Sequence, residues 1–256
     1  MSLDTLKEYL SICDDNLIWE PFYDDSMLLD EFSNYIKEIE LSKEWNKSKN
    51  HEKGKILEQL VRFIMSRFTI LSDISVNKST TDNELDVFVK FNDNIPIPFL
   101  CNIKSKIVCE CKNWKSRKVD VGMVSKLAEI CNKNNAGLGI FISLNGLTGK
   151  GWQYAEGKRR KLYLSDKMPI ISFTVDEITK LKYKRYNLLT MIKCKMQALI
   201  DEMEFAGGEL RLLESELGFI DWLNENIESL KMLGLITEVE YNNIKVRINH
   251  RYDIVN

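Results

Sequence analysis

Only two histidines, His51 and His250, occur in the chain, and they are far apart. Zinc hydrolases and histidine-dependent nucleases need such rings gathered as ligands or bases, so that chemistry is excluded. The six cysteines (Cys13, Cys101, Cys109, Cys111, Cys131, Cys194) form no C-x-x-C pair. Several lie in apolar runs, where a free thiol behaves as a small hydrophobe; this usage predicts a reduced, cytoplasmic protein. No run of about 18 apolar residues is present, so no membrane span is expected. The opening MSLDTLKEYL lacks the basic-then-apolar layout of a secretory signal. Internal repeats and low-complexity tracts are missing too. What remains, 256 residues at 44% hydrophobic and 29% charged, fits a globular protein of one or two domains. Its length supports a core without a disulfide or metal staple.

The net charge of −2 argues for no polyanionic partner, but it averages over strong segregation. Residues 1–50 hold twelve acids against five lysines. Residues 104–126 hold seven Lys/Arg against Glu110 and Asp120, and residues 150–161 hold five against Glu156. Local patches set which ligands are attracted, more than the total does.

Periodicity divides the chain into three parts. Residues 1–50 read as a helical N-terminal leader: Thr5 to Glu8 is a capping-box pattern, and Met27, Leu28, Phe32, Tyr35, Ile36 and Ile39 recur at helical spacing. Ser42 to Lys53 reads as a polar linker or exposed turn. Residues 51–182 read as an α/β domain. Ile56, Leu60, Phe63, Ile64 and Phe68 mark a buried helical stripe over Lys55–Phe68. Strands are predicted at Ile70–Val76, at Glu84–Phe91 (Leu85, Val87 and Val89 on one face; Asp86, Phe88 and Lys90 on the other), and at Phe99–Ile103 continuing through Ile107–Lys112. A helix over Val119–Asn134, a fully buried strand over Gly137–Leu144, a basic helix to about Lys161, a strand over Met168–Phe173 and a helix over Val175–Lys182 follow. That order is a single sheet flanked by helices. Residues 183–256 read as a helical C-terminal module, with stripes over Leu188–Met203 and Phe219–Leu233, Gly234 as a cap, and Thr237–Glu240 as a capping box.

One stretch, Ile107–Lys118 (IVCECKNWKSRK), starts as an apolar strand and ends as a basic loop. Residues i and i+2 of a strand face the same way, so Glu110 and Lys112 share one face and Cys109 and Cys111 the other. An acid and an amine side by side in an apolar strand are costly without a shared partner. If the strands carrying Asp86 and Glu110 pair, the two carboxylates converge and suit a hard cation that keeps several waters. The Cys111 backbone carbonyl supplies a third oxygen, and Glu58, from the first long helix, is placed to hold an outer-shell water. A bound Mg²⁺ there would polarise a scissile phosphate, and Lys112 would orient the attacking water or offset charge on the phosphate oxygens. The bland alternative is a salt-bridge cluster on a strand face.

The order of these residues resembles the PD-(D/E)xK nuclease superfamily, and most closely its Mrr-type restriction endonuclease branch. The resemblance is carried by Gly54-x-x-x-Glu58, Asn83–Val87 (NELDV), Val108–Trp114 (VCECKNW), the helix over Val119–Asn134 and the strand GIFISLNGLTG. It spans roughly residues 52–175. It implies a restriction-endonuclease-like α/β core, a central mixed sheet flanked by helices. It also implies Asp86 and Glu110 as metal ligands, Lys112 as the catalytic lysine, Glu58 as an auxiliary acid, and Mg²⁺, with Mn²⁺ as substitute, as cofactor. Many Mrr-like proteins carry a glutamine in the helix after the lysine; here VDVGMVSKLAEI holds none. The expected activity is DNA endonuclease cleavage in bacterial defence, with a partner protein of a defence system as a further implication. The rivals are a structure-specific repair or recombination nuclease of junction-resolvase type, and a catalytically silent DNA-binding or assembly protein.

On that reading Lys115, Arg117 and Lys118, with Lys158, Arg159 and Arg160 further on, are the candidate phosphate contacts. Trp114 either stacks on a base or packs beside the sheet. Gly146–Gly151 is too short for a phosphate-binding loop and has no Ser/Thr after Lys150. Leu230–Lys245 resembles a short helical hairpin appended to many proteins as an oligomerisation motif. Two helices this short cannot bury their faces alone, so they either pack on their own core or join a second copy as a homo-oligomer.

Overall fold

A computed structural model describes residues 15–79, 84–94, 97–149, 153–204, 224 and 226–251. The expected Thr5–Glu8 box falls outside these. A single turn, α1 (Asp15–Ile18), precedes α2 (Ser26–Ser42), whose start is capped by the Asp25 carboxylate accepting from Met27 and Leu28 N–H. Then α3 (Asn50–Ser66) buries Ile56, Leu57, Leu60, Val61, Phe63 and Ile64. The expected polar linker over residues 42–53 is corrected here. Ser42 is fully buried, a 3₁₀ turn spans Lys47–Lys49, and α3 begins at Asn50. Polar residues extend the helix because only its later turns need an apolar face.

Five strands form one mixed sheet in the order β1 (Leu71–Ser79), β2 (Glu84–Phe91), β3 (Lys106–Lys112), β4 (Leu138–Ser143), β5 (Ile170–Thr174). β1, β2 and β3 pair antiparallel, whereas β3, β4 and β5 pair parallel. Phe99–Ile103, expected as strand, is largely a short helix, α4 (Pro98–Asn102). Its apolar residues Ile97, Leu100 and Ile103 lie three apart and are all buried, which suits one helical turn and not a strand's alternation. The chain then passes Lys104 and Ser105 at positive φ into β3. Gly137 enters β4 tight against this corner; a Cβ there would fall 2.4 Å from the Ile103 carbonyl carbon.

Two hydrophobic layers sandwich the sheet. One holds Val87, Val89, Phe91, Ile107, Cys109 and Cys111 with α2, α3 and the later helices α7 (Val175–Thr179) and α8 (Leu188–Glu204). The other packs Val108, Phe141 and Ile170 against α5 (Val121–Lys133) and α6 (Ala155–Asp166). β4 is buried on both faces, as its unbroken apolar run requires. The expected clean alternation of β2 fails at one residue. Leu85 joins Phe88 in the second layer rather than Val87 and Val89 in the first. The change of side coincides with Asn77, at φ 51°, on the neighbouring strand.

The N-terminal segment is part of this core. Trp19, Phe22, Phe32 and Ile39 are buried in the first layer, and the Trp19 indole N–H donates to the Ile64 carbonyl at 2.8 Å. The chain divides into two compact units, residues 1–199 and 200–256. The first runs past the expected edge at residue 182 because Leu188, Leu189 and Ile192 are fully buried in its core. In the second unit, Gly234 at φ 69° ends helical residues 226–232. Leu235 N–H donates to Leu230 O, and Gly234 N–H to Lys231 O. The Thr237–Glu240 capping box then opens α9 (Glu238–Arg251). Ile227, Tyr241 and Ile248 form its small core.

Candidate active site

The ladder between β2 and β3 runs from Lys90–Lys106 to Val87–Cys109 and stops there. In the notch that follows, a side chain takes the place of backbone pairing: the Asp86 carboxylate (Oδ2) accepts the Cys111 N–H at 2.7 Å. The N–H and C=O of one strand residue project to the same side, so the Cys111 carbonyl also faces this notch. Glu110 and Lys112 lie on the sheet face opposite Cys109 and Cys111, which pack in the first layer. Lys112 Nζ sits 2.6 Å from Glu110 Oε1 and 3.9 Å from Asp86 Oδ2, and all three side chains are under 20% exposed.

A cavity of about 230 Å³ opens at this notch. Glu58, Asp86, Cys111 and Lys112 form one part of its wall; Asn50, His51, Gly54, Asn113 and Trp114 form the rest. Glu58 reaches it from α3, with Oε2 accepting from the Asn77 amide at 2.9 Å. The Asn113 amide, next after Lys112, donates to Lys53 O at 2.8 Å and to Ser42 Oγ at 3.1 Å. It thereby ties the end of β3 to the first turn of α3 and the last residue of α2.

The charges in the notch are strongly perturbed. Burial, then the Glu110 carboxylate, push Asp86 up to about 7, against the pull of Lys112 and the Cys111 N–H. Burial alone would lower Lys112, but Glu110 and Asp86 outweigh it and hold the ammonium above the ordinary lysine value. Burial raises the Cys109, Cys111 and Cys131 thiols, which leaves them inert packing groups.

With this geometry in view, similarity to known proteins is decisive. Residues 50–173 match the family model of the Mrr-type restriction endonuclease catalytic domain. This segment is a restriction endonuclease domain of the PD-(D/E)xK superfamily. No curated protein sequence matches the chain.

Restriction endonucleases act on DNA and generally use divalent metal ions. Among the described residues no group of three or more His, Cys, Asp and Glu side chains gathers into a ligand cluster. Asp86 and Glu58 line the cavity while Glu110 adjoins it through Lys112, so that, with the Cys111 carbonyl, the donors at the notch are oxygens. That donor set fits a hard cation that retains several waters. Burial first, and then the Glu110 charge, raise Asp86, and such a cation would offset both.

None of the six basic residues expected to contact phosphates lines the cavity. Lys115 pairs with Glu44 at 2.8 Å, and Arg117 pairs with Asp120 at 3.0 Å while lying over the Trp114 ring at 4.7 Å. Asn145 fixes the loop by donating to the Trp114 and Arg117 carbonyls. Lys118 is exposed. Lys158, Arg159 and Arg160 are half-buried on α6, and Arg159 pairs with Glu156. Trp114 both packs and lines the cavity.

Three residues beyond the sequence-based set contribute to the site. His51 appears to sequence reading as an isolated ring, yet it lines the cavity. Its signal is present: His51, Gly54 and Glu58 are spaced i, i+3, i+7, one face of a helix that starts earlier than predicted. Asn113 is the polar residue ending an apolar strand. Asn77 carries no sequence signal, because its role depends on the pairing of β1 with β2. Among the described residues no helix is long and apolar enough to cross a membrane.

Proposed function

We propose that the protein is a Mg²⁺-dependent DNA endonuclease that hydrolyses phosphodiester bonds and serves restriction of foreign DNA in bacterial defence. One observation carries this reading: in a restriction endonuclease domain, Asp86, Glu110 and Lys112 converge on a notch at the broken β2–β3 ladder. Asp86, Glu110 and the Cys111 carbonyl would hold the ion, with Mn²⁺ as substitute, and Glu58 would accept from a water outside them. A bound ion there would supply Lewis acidity toward the scissile phosphate and the attacking water. Lys112, held as an ammonium by its neighbours, offsets the charge that builds on the phosphate oxygens. Lys115, Arg117 and Lys118 contact backbone phosphates next to the cut, and Lys158, Arg159 and Arg160 contact phosphates further along.

The C-terminal hairpin joins a second copy, since Met232, Leu233, Leu235 and Val239 are strongly exposed around a core of three buried side chains. A homo-oligomer brings two notches to the two strands of a duplex.

The test is cleavage of duplex, single-stranded, branched and methylated DNA with Mg²⁺ or Mn²⁺. Asp86→Ala, Glu110→Ala and Lys112→Ala should each abolish cutting while folding and most DNA affinity survive. Full activity of Glu110→Ala would overturn the assignment. A preference for branched DNA would favour a junction-resolving enzyme with the same residues.

A further inference from the structure

Asn77 occupies an unusual place. It lies between the pairs Val76–Val87 and Lys78–Leu85, opposite Asp86, with backbone φ of 51° inside a strand. Non-glycine residues enter that left-handed region rarely, and asparagine is among the few that do so readily. Such a conformation persists only where its surroundings favour it, and it concentrates at functional sites. Here its amide donates to Glu58 Oε2 at 2.9 Å. The other oxygen, Oε1, lies beside Gly54, where a Cβ would sit 3.5 Å from it, and both Gly54 and Glu58 line the cavity. One Glu58 oxygen is therefore held by the hairpin, and the other is presented on the cavity side.

We propose that Asn77 is a positioning residue, which fixes the Glu58 carboxylate so that one oxygen serves the hydration shell of the metal held by Asp86 and Glu110. This rests on the metal-dependent reading of the notch. It also divides labour on the β1–β2 hairpin. One strand supplies the ligand Asp86, and the residue across from it orients the auxiliary acid on α3. Outer-shell partners of this kind commonly change metal affinity or activity 10–100-fold when lost.

Calorimetric titration of Mn²⁺ into the full chain tests it, with DNA cleavage as a second readout. Asn77→Gly removes the donor and keeps the backbone conformation at no steric cost. Asn77→Ala removes the donor and adds strain. Both should weaken Mn²⁺ binding by the same factor, about tenfold, with a matching fall in kcat and unchanged KM for DNA. Their unfolding temperatures should differ, since Asn77→Ala adds backbone strain whereas Asn77→Gly adds unfolded-chain freedom. In a Glu58→Ala background, neither substitution should weaken Mn²⁺ binding further, because contacting residues share one interaction. Wild-type Mn²⁺ affinity in Asn77→Gly, an equal loss in the Glu58→Ala background, or affinity that tracks unfolding temperature would each overturn the proposal. A wild-type chain that binds Mn²⁺ without cutting DNA would defeat the nuclease reading, while the Mn²⁺ series would still decide the role of Asn77.

Discussion

Two neighbouring groups of charges, a few residues apart, are treated in opposite ways. Asp86, Glu110 and Lys112 are largely withdrawn from water and crowd one another, so that Asp86 is pushed to about 7. Lys115 and Arg117, in the loop that follows, stand in solvent with Glu44 and Asp120 as partners, each side chain more than 40% exposed. Exposed pairs are screened and contribute little, whereas a buried cluster with two acids to one base holds unfavourable energy that a ligand can release. On the proposed reading, the first group would carry the chemistry and the second would make adjustable contacts with a polyanion.

The largest effect should come from breaking the buried group. Lys112→Met leaves two carboxylates facing each other, and its cleavage rate should fall about 10²–10³-fold, the range seen when one preorganised donor to developing charge is removed. Single-turnover kinetics at saturating metal would measure it. Next comes pH. Asp86 binds its proton more tightly in the folded chain than in the unfolded one, so without metal its contribution turns increasingly unfavourable as pH rises from about 4 to about 7. Asp86→Asn should therefore raise the metal-free unfolding temperature more at pH 8 than at pH 5. Divalent-ion affinity of the wild type should climb with pH until Asp86 is ionised near 7, because binding must release that proton. A flat profile by calorimetry would contradict this.

Effects on the exposed group should be smaller. Replacing Arg117 and Lys118 with alanine should flatten the dependence of log affinity on log salt by roughly one unit of slope per lost phosphate contact. An unchanged slope would remove the loop from the interface. Glu44→Gln should leave the unfolding temperature unmoved, and any clear shift would mean that the Lys115 pair is more than a surface contact. Removing residues 200–256 should lower the mass measured by light scattering if the hairpin assembles copies, with the notch chemistry retained.

How far the sequence alone discloses this arrangement depends on the range of each interaction. The alternation of β2 and the acid–lysine spacing of β3 are local, and both strands form where those patterns lie. The C-terminal glycine cap and capping box are local too, and their hydrogen bonds are present. Misreadings occur where distant partners decide. Asn50–Lys53 look like linker because their helix is set by apolar turns further on. Leu85 changes layer at the step opposite Asn77, and Asn77 has no signature because its partner Glu58 belongs to another element. Ile97, Leu100 and Ile103 are too few to distinguish a helical turn from a strand until their burial is known.

The Asn113 amide, spanning Lys53 and Ser42, bears on how the activity could be moved or trimmed. The segment that matches the restriction endonuclease family starts at residue 50, yet the residue after Lys112 is fastened to Ser42, and Trp19 is fastened to Ile64. A fragment cut at the edge of the resemblance would carry every proposed reacting group and keep the Asn113–Lys53 bond. It would lose the Ser42 and Trp19 contacts that fasten the end of β3 and α3 to the N-terminal segment. The portable unit begins upstream of the recognisable one.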